Sequence, residues 1–226
     1  MSRSVLQLIQ PISKRDQVVA SIKEAILTGK LHPGDTIVES RVAHQLGAGI
    51  PLVREALIEL EHQGYVQKIP YKGTTVTRLE RSSVEQIFRL RVELETIAVQ
   101  WAKDSVTVED IAELRDITAQ MRSAAEALDL DLFYEKDLAF HRKLWAMSGN
   151  DYLFDCLERL VVPLFAFFVI RNRRARDSYL ESAATHEEIV DSLQRLNKVK
   201  LATLVRKSLI EWKAEVIEEL LPSDNE

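Results

Sequence analysis

Hydrophobic positions in the first eighty residues change period several times; beyond them one period dominates. Val18, Val19, Ile22, Ala25 and Ile26 recur at helical spacing. Ser13-Lys-Arg-Asp16 ahead of them has capping-box-like chemistry. Gly29 predicts the stop, and His32-Pro-Gly34 a turn. Residues 35–38 predict a short strand. Residues 40–46 predict a short helix closed by Gly47, and residues 52–62 a second helix, opened by Pro51 and stopped by Gly64. Residues 65–69 and 74–78 flank Pro70-Tyr-Lys-Gly73 as a hairpin.

From about residue 80 the apolar positions follow the helical period without strand-like alternation. Six helices are expected, near 83–104, 107–128, 131–147, 151–175, 178–196 and 199–220. Ser82-Ser-Val-Glu85 reads as a capping box and Thr107-Val-Glu-Asp110 resembles one. Ser148-Gly-Asn150 and the stretch near Lys198 break the pattern. Pro163 is expected to kink or break the fourth of these helices. The fold class is therefore mainly α. A small head carrying two closely spaced helices and a hairpin (12–79) precedes an all-α bundle of antiparallel neighbours with short loops (80–222).

A short helix, a tight turn and a second helix form the arrangement that sets one helix into a DNA major groove, with the hairpin placed as a wing. Charge supports this division only when split. The chain carries −5, but residues 1–79 hold ten Lys/Arg against seven Asp/Glu, or +3, and the remaining 20 and 28 give −8. A polyanion would meet the N-terminal part. The lone Cys156 cannot form an internal disulfide, which favours a reducing compartment. The longest apolar run, residues 160–170, contains a proline and falls short of the roughly 18 residues of a membrane span. The N-terminus lacks the basic-then-apolar order of a signal peptide. A cytoplasmic location without membrane association is expected.

Arg54 lies one turn into the second helix, the part of a recognition helix that meets base edges, and arginine there can grip guanine through two hydrogen bonds. The competing reading is an intrahelical pair with Glu55 or Glu61. Ser40 and Arg41 begin the preceding helix, where backbone amides and a cation can face phosphate. Lys72 and Gly73 form the wing tip, another phosphate candidate or merely a solvated loop.

In the helical half, Asp137 and His141 are four apart on a face that also carries Phe133, Phe140 and Leu144. His186 sits among Tyr179, Ile189, Val190 and Leu193, and Arg91 among Val84, Ile87, Phe88 and Ala98. Polar groups on apolar faces need partners, and bundles build sites from such inward side chains. Imidazole and carboxylate together suit a divalent ion such as zinc or nickel. Hydrogen-bonded core histidines and a plain Arg91–Glu95 ion pair explain the same pattern without a metal.

The chain also resembles a known family. Ala25-Ile-Leu-Thr-Gly29, Leu31-His-Pro-Gly34, Glu39-Ser-Arg-Val-Ala43, Leu46-Gly47, Val53-Arg-Glu-Ala-Leu57, Leu60-Glu61, Gly64 and Lys72-Gly73 look like the winged helix-turn-helix of GntR transcriptional regulators. The likeness is to the FadR-type branch, whose second domain is a helical ligand-binding bundle called FCD. The family usually has Ser-Arg-Thr-Pro where Gly49-Ile-Pro-Leu52 stands here. Ile50 thus replaces an arginine that touches DNA, and Pro51 a polar residue. The resemblance implies DNA binding at an operator unlike the common family one. Asp137-Leu-Ala-Phe-His141, Gly149-Asn150 and His186 match the FCD motifs, and Arg91 aligns with an arginine facing the ligand cavity in relatives. Ser208 falls where the family's third histidine belongs, so the implied metal ligand set is Asp137, His141 and His186, with Ser208 and Arg91 facing the effector.

Joined, the halves imply a homodimeric regulator, a repressor in the commonest family pattern. It would bind a palindromic double-stranded operator and respond to a small carboxylate. No glycine-rich phosphate loop, nucleophile–base pair or His-Glu-x-x-His is present, so an enzyme is not expected. A helical-bundle metalloenzyme and an architectural DNA-binding dimer without effector are the alternatives.

Overall fold

The computed structural model describes residues 13–171 and 176–220. The chain divides into two compact units between Thr77 and Arg78.

In the first unit α1 (Lys14–Leu27) starts on Ser13, whose hydroxyl accepts from the Asp16 amide at 3.1 Å. It buries Val18, Ile22 and Ile26 and packs on α3. Strand β1 (Thr36–Ile37) follows, then α2 (Glu39–Leu46) and α3 (Ile50–His62). Gly47 ends α2 at φ 60°, a left-handed conformation that a residue with a Cβ adopts only with strain. Helix α3 begins two residues before the expected start, so Ile50 and Pro51 lie in its first turn. Proline is tolerated there because the first amides have no intrahelical partner. Val53, Ala56, Leu57 and Leu60 are its buried face.

The hairpin is β2 (Val66–Ile69) and β3 (Gly73–Val76), and β1 adds to it as a third strand. The order is β1-β3-β2, antiparallel throughout, with Thr36 opposite Thr75 and Val66 opposite Val76. The turn closes through the Lys72 amide to the Ile69 carbonyl at 3.0 Å.

The second unit is helical among the described residues: α4 (Arg81–Ser105), α5 (Val108–Ala127), α6 (Leu130–Met147), α7 (Asp151–Arg171), α8 (Arg176–Arg195) and α9 (Lys198–Leu220). Helix α4 packs against α6, α7 and α9, and α5 against α6 and α8. The Thr107–Asp110 capping box forms in both directions. The one expected at Ser82 does not: α4 starts earlier, at Arg81, behind Glu80 and without a side-chain cap. Pro163 does not break its helix either; α7 runs through it from Asp151 to Arg171. Flanking Val161, Val162, Leu164 and Phe165 are all buried, and tertiary packing outweighs the one lost backbone hydrogen bond. Asn150 caps α7 through the Leu153 amide at 2.9 Å, which fixes the turn after α6.

Phe165, Phe167 and Phe168 are core, together with Phe88, Phe133, Phe140 and Tyr179. Phe88, Phe165 and Phe168 surround the Trp212 ring with centroids 4.9–6.3 Å away. This aromatic cluster backs the polar site described next.

Candidate functional site

The head presents its candidate DNA-contacting residues to solvent. Ser40 and Arg41 on α2, Ile50, Pro51 and Arg54 on α3, and Lys72 and Gly73 on the wing are all exposed. Arg54 pairs with neither Glu55 nor Glu61. Its Nε and Nη2 grip the Glu39 carboxylate on α2 at 2.8–3.2 Å. Glu61 instead accepts from the Lys68 amide at 3.2 Å. The Arg54–Glu39 pair holds Glu39 below, and Arg54 above, their ordinary pKa values, the hydrogen bond being the main cause. Nη1 takes no part in it, and 58% of the Arg54 side chain stays exposed.

The second site lies inside the bundle. A cavity of about 250 Å³ is lined by Arg91 and Glu95 from α4, Asp137 and His141 from α6, His186 from α8, and Ser208 and Trp212 from α9. Arg91, Glu95, Asp137, His141 and His186 are buried, Arg91 completely.

Glu95 organises this cluster. Its Oε1 accepts from Arg91 Nε at 2.5 Å and its Oε2 from His141 Nδ1 at 2.8 Å. Arg91 Nη2 lies 3.0 Å from His141 Nε2. Because arginine only donates, Nε2 accepts from it when the ring is neutral, and the proton then sits on Nδ1 facing Glu95. His186 Nδ1 donates to the Ser182 carbonyl at 2.7 Å, so its neutral form also carries a lone pair at Nε2. Both Nε2 atoms face Asp137 Oδ1, at 3.1 Å from His186 and 3.4 Å from His141.

Burial opposes ionisation of both acids, yet the charges around them win. Arg91 and His141 hold Glu95 down at about 2, and His186 and His141 hold Asp137 well below the carboxylate range. For His141 burial and Arg91 oppose the charged ring while Glu95 and Asp137 favour it, and the balance lies above the ordinary imidazole value.

Arg91 Nη1 is buried without a hydrogen bond, and Asp137 Oδ1 has one only when a facing imidazole carries its proton at Nε2. A carboxylate oxygen facing two imidazole nitrogens is satisfied by a proton on one ring or by a metal cation. One ligand atom each from Asp137, His141 and His186 lies within 4.8 Å of the others, a spacing a single ion could span. Each histidine also has the outer partner, Glu95 or the Ser182 carbonyl, that metal-binding imidazoles use to fix their tautomer. The residues fit a divalent ion. Ser208 lines the same cavity but turns its hydroxyl to the Val205 carbonyl at 2.9 Å.

The structure thus gathers Arg91, Asp137, His141, His186 and Ser208 on one cavity. Two partners were not expected from the sequence: Glu95 at His141 Nδ1 and the Ser182 carbonyl at His186 Nδ1. Glu95 carried a legible signal: four residues after Arg91, it shares that residue's apolar face with Phe88.

Residues 14–76 match the bacterial regulatory proteins of the gntR family, and residues 86–210 match the FCD domain. The chain belongs to the GntR family of bacterial transcriptional regulators. It is 30% identical over 148 residues to the HTH-type transcriptional regulator McbR of Escherichia coli, covering 66% of this chain and 67% of that one. It is 26% identical over 151 residues to the E. coli transcriptional repressor RspR, covering 67% and 65%. A Streptomyces ambofaciens HTH-type regulator is 33% identical over 140 residues, covering 61% of this chain and 58% of that protein.

Solved structures share the fold. E. coli McbR/YncC superposes with a TM-score of 0.66 at 24% identity, covering 91% of this chain and 99% of that one. A GntR regulator from Rhodococcus sp. RHA1 gives 0.70 at 17%, covering 91% and 98%. GntR members bind DNA operators, and this chain is a regulator rather than an enzyme. Among the described residues no helix is long and apolar enough to cross a membrane.

Proposed function

We propose that this GntR regulator is a homodimeric, cytoplasmic repressor of a palindromic operator, released by a small carboxylate that enters the α4–α6–α8–α9 cavity. The observation that carries the sensor reading is the convergence of Asp137, His141 and His186 on one cavity wall beside Arg91, whose buried Nη1 has no partner. Orphaned groups of this kind cost free energy unless something binds them. Arg91, Glu95 and Asp137 sum to one negative charge when both imidazoles are neutral. A divalent metal reverses that sign, and one carboxylate returns it to zero.

Zinc or nickel suits the Asp137, His141 and His186 donors. When bound, the metal supplies a Lewis-acidic anchor for an anionic ligand. Arg91 supplies the second anchor, and the cavity of about 250 Å³ favours a small acid. With Ser208 where a third histidine would add a ligand, coordination positions remain for water or effector. A half-exposed apolar stripe on α4, Leu90 and Trp101 with Leu94 and Ile97 between, supports a partner copy on that face. The effector alters DNA affinity by its differential affinity for two arrangements of the dimer. An architectural dimer without effector leaves the buried charge cluster without a use.

Native mass spectrometry with elemental analysis tests the reading. About one metal per chain in a dimer is the expected result. Screening small carboxylates for release of operator DNA then tests the response. Absence of any acid that releases DNA would overturn the sensor assignment.

A further inference from the structure

We infer that Arg91 is a built-in competitor for the metal at His141, and that its displacement creates the carboxylate-binding fork. The inference deepens the proposed sensor and rests on metal binding at Asp137, His141 and His186.

An imidazole nitrogen has one lone pair. In the neutral ring the lone pair at His141 Nε2 accepts from Arg91 Nη2 at 3.0 Å, and Glu95 faces the other ring nitrogen. His141 therefore cannot bind a metal and keep the Arg91 contact at the same time. The rest of Arg91 is well anchored. Nε is tied to Glu95 at 2.5 Å, and the guanidinium carbon lies 5.0 Å from the Trp212 ring centroid and 5.2 Å from that of Phe165. Loss of the His141 contact thus affects the Nη end and leaves the stem in place.

Nη1 already lacks a partner while fully buried, and Nη2 would join it once metal takes His141. Two adjacent unsatisfied donors on one planar guanidinium match a carboxylate in bidentate geometry. A carboxylate relieves the cost that metal loading imposes on Arg91, so each ligand tightens the other. The coupling is reciprocal and belongs in the typical range of about 5- to 150-fold. In this arrangement Arg91 guards the site against metal alone and favours metal with acid.

The test uses the metal-stripped full chain and Ni²⁺ binding by isothermal titration calorimetry, in acetate and in chloride at matched ionic strength. Acetate is the carboxylate probe. The wild type is expected to bind Ni²⁺ at least about fivefold more tightly in acetate. Arg91→Met is expected to tighten Ni²⁺ in chloride and to erase the acetate effect. Arg91→Lys keeps a cation without the planar fork and is expected to lose most of that effect, so the inference stays testable should Arg91→Met fail to fold. Equal Ni²⁺ affinity in the two anions for the wild type overturns the inference, as does weaker Ni²⁺ binding by folded Arg91→Met. Those results leave the metal reading standing. A wild type that binds no Ni²⁺ in either anion removes both.

Discussion

Glu95 and His141, 46 residues apart in sequence, are joined at 2.8 Å through Oε2 and Nδ1 inside the helical bundle. The bond ties α4 to α6, and the other oxygen of the same carboxylate holds Arg91. One acid therefore balances a guanidinium and fixes the tautomer of an imidazole. Its folded pKa of about 2 against an ordinary 4.5 makes this a statement about stability. A lowered carboxylate pKa contributes stability that is complete above the unfolded value and is lost as pH falls through the folded one. The bundle is expected to lose stability between about pH 4.5 and pH 2, with Glu95 contributing on the order of 3 kcal/mol. Denaturant titrations of wild type and Glu95→Gln across that window check it. The variant should be less stable at neutral pH, with a shallower acid dependence. Equal slopes would mean that Glu95 is not the group responsible.

Arg54→Ala is expected to lower operator affinity about tenfold or more while the head stays folded, because the side chain is exposed and buries no core. Gel-shift titration on operator and scrambled DNA provides the readout. Unchanged sequence-specific binding would remove Arg54 from the recognition surface.

Glu39 makes a further prediction about that same arginine. It grips Nε and Nη2 across the helix turn and brings a negative charge to the surface that must approach phosphates. Glu39→Gln should raise affinity for non-specific DNA by removing that repulsion. It should also narrow the ratio of specific to non-specific binding, because the arginine is held less firmly. A larger ratio in the variant would show that Glu39 hinders recognition rather than orienting it.

How far these sites could be read from the chain follows from sequence distance. The α2–turn–α3 geometry was legible because Gly47, Pro51 and Gly64 punctuate it locally. The Arg54–Glu39 pair was not, since its partners are 15 residues apart on different helices and nearness along the chain pointed to Glu55 and Glu61 instead. Asp137 with His141 was legible as an i, i+4 pair on an apolar face. The arrival of Glu95 at His141 depends on α4 packing beside α6, which no local pattern encodes. Pro163 shows the converse: the local rule for a helix breaker was overruled by a densely buried stretch from Val161 to Phe168.

His141 separates sensing from DNA binding. His141→Ala removes a candidate metal ligand and the acceptor of Arg91, but lies in the unit that does not contain α3. Response to a carboxylate effector should fall far more than operator affinity measured without effector. A larger loss of basal DNA binding than of response would sink the sensor assignment. Chelation of the wild type should reproduce the loss of response. Metal affinity should also decline as pH falls, because metal must compete with protons for His141, whose pKa is raised by Glu95 and Asp137 against burial.

Ile50 offers the test in which affinity should be gained. It is 43% exposed in the first turn of α3, where the family's usual pattern has a DNA-contacting arginine. The first turn of a recognition helix faces the duplex, and an apolar side chain there can touch a thymine methyl but donates nothing to phosphate or guanine. Ile50→Arg adds one cation without disturbing the buried face formed by Val53, Ala56, Leu57 and Leu60. Binding to DNA of any sequence should tighten at low salt, and the slope of log affinity against log salt should steepen by about one unit for each added phosphate contact. If Ile50 reads a thymine in the natural operator, the variant should also lose discrimination at that base pair. An unchanged salt slope would place residue 50 away from the DNA backbone, and the departure from the family pattern would then have no bearing on operator choice.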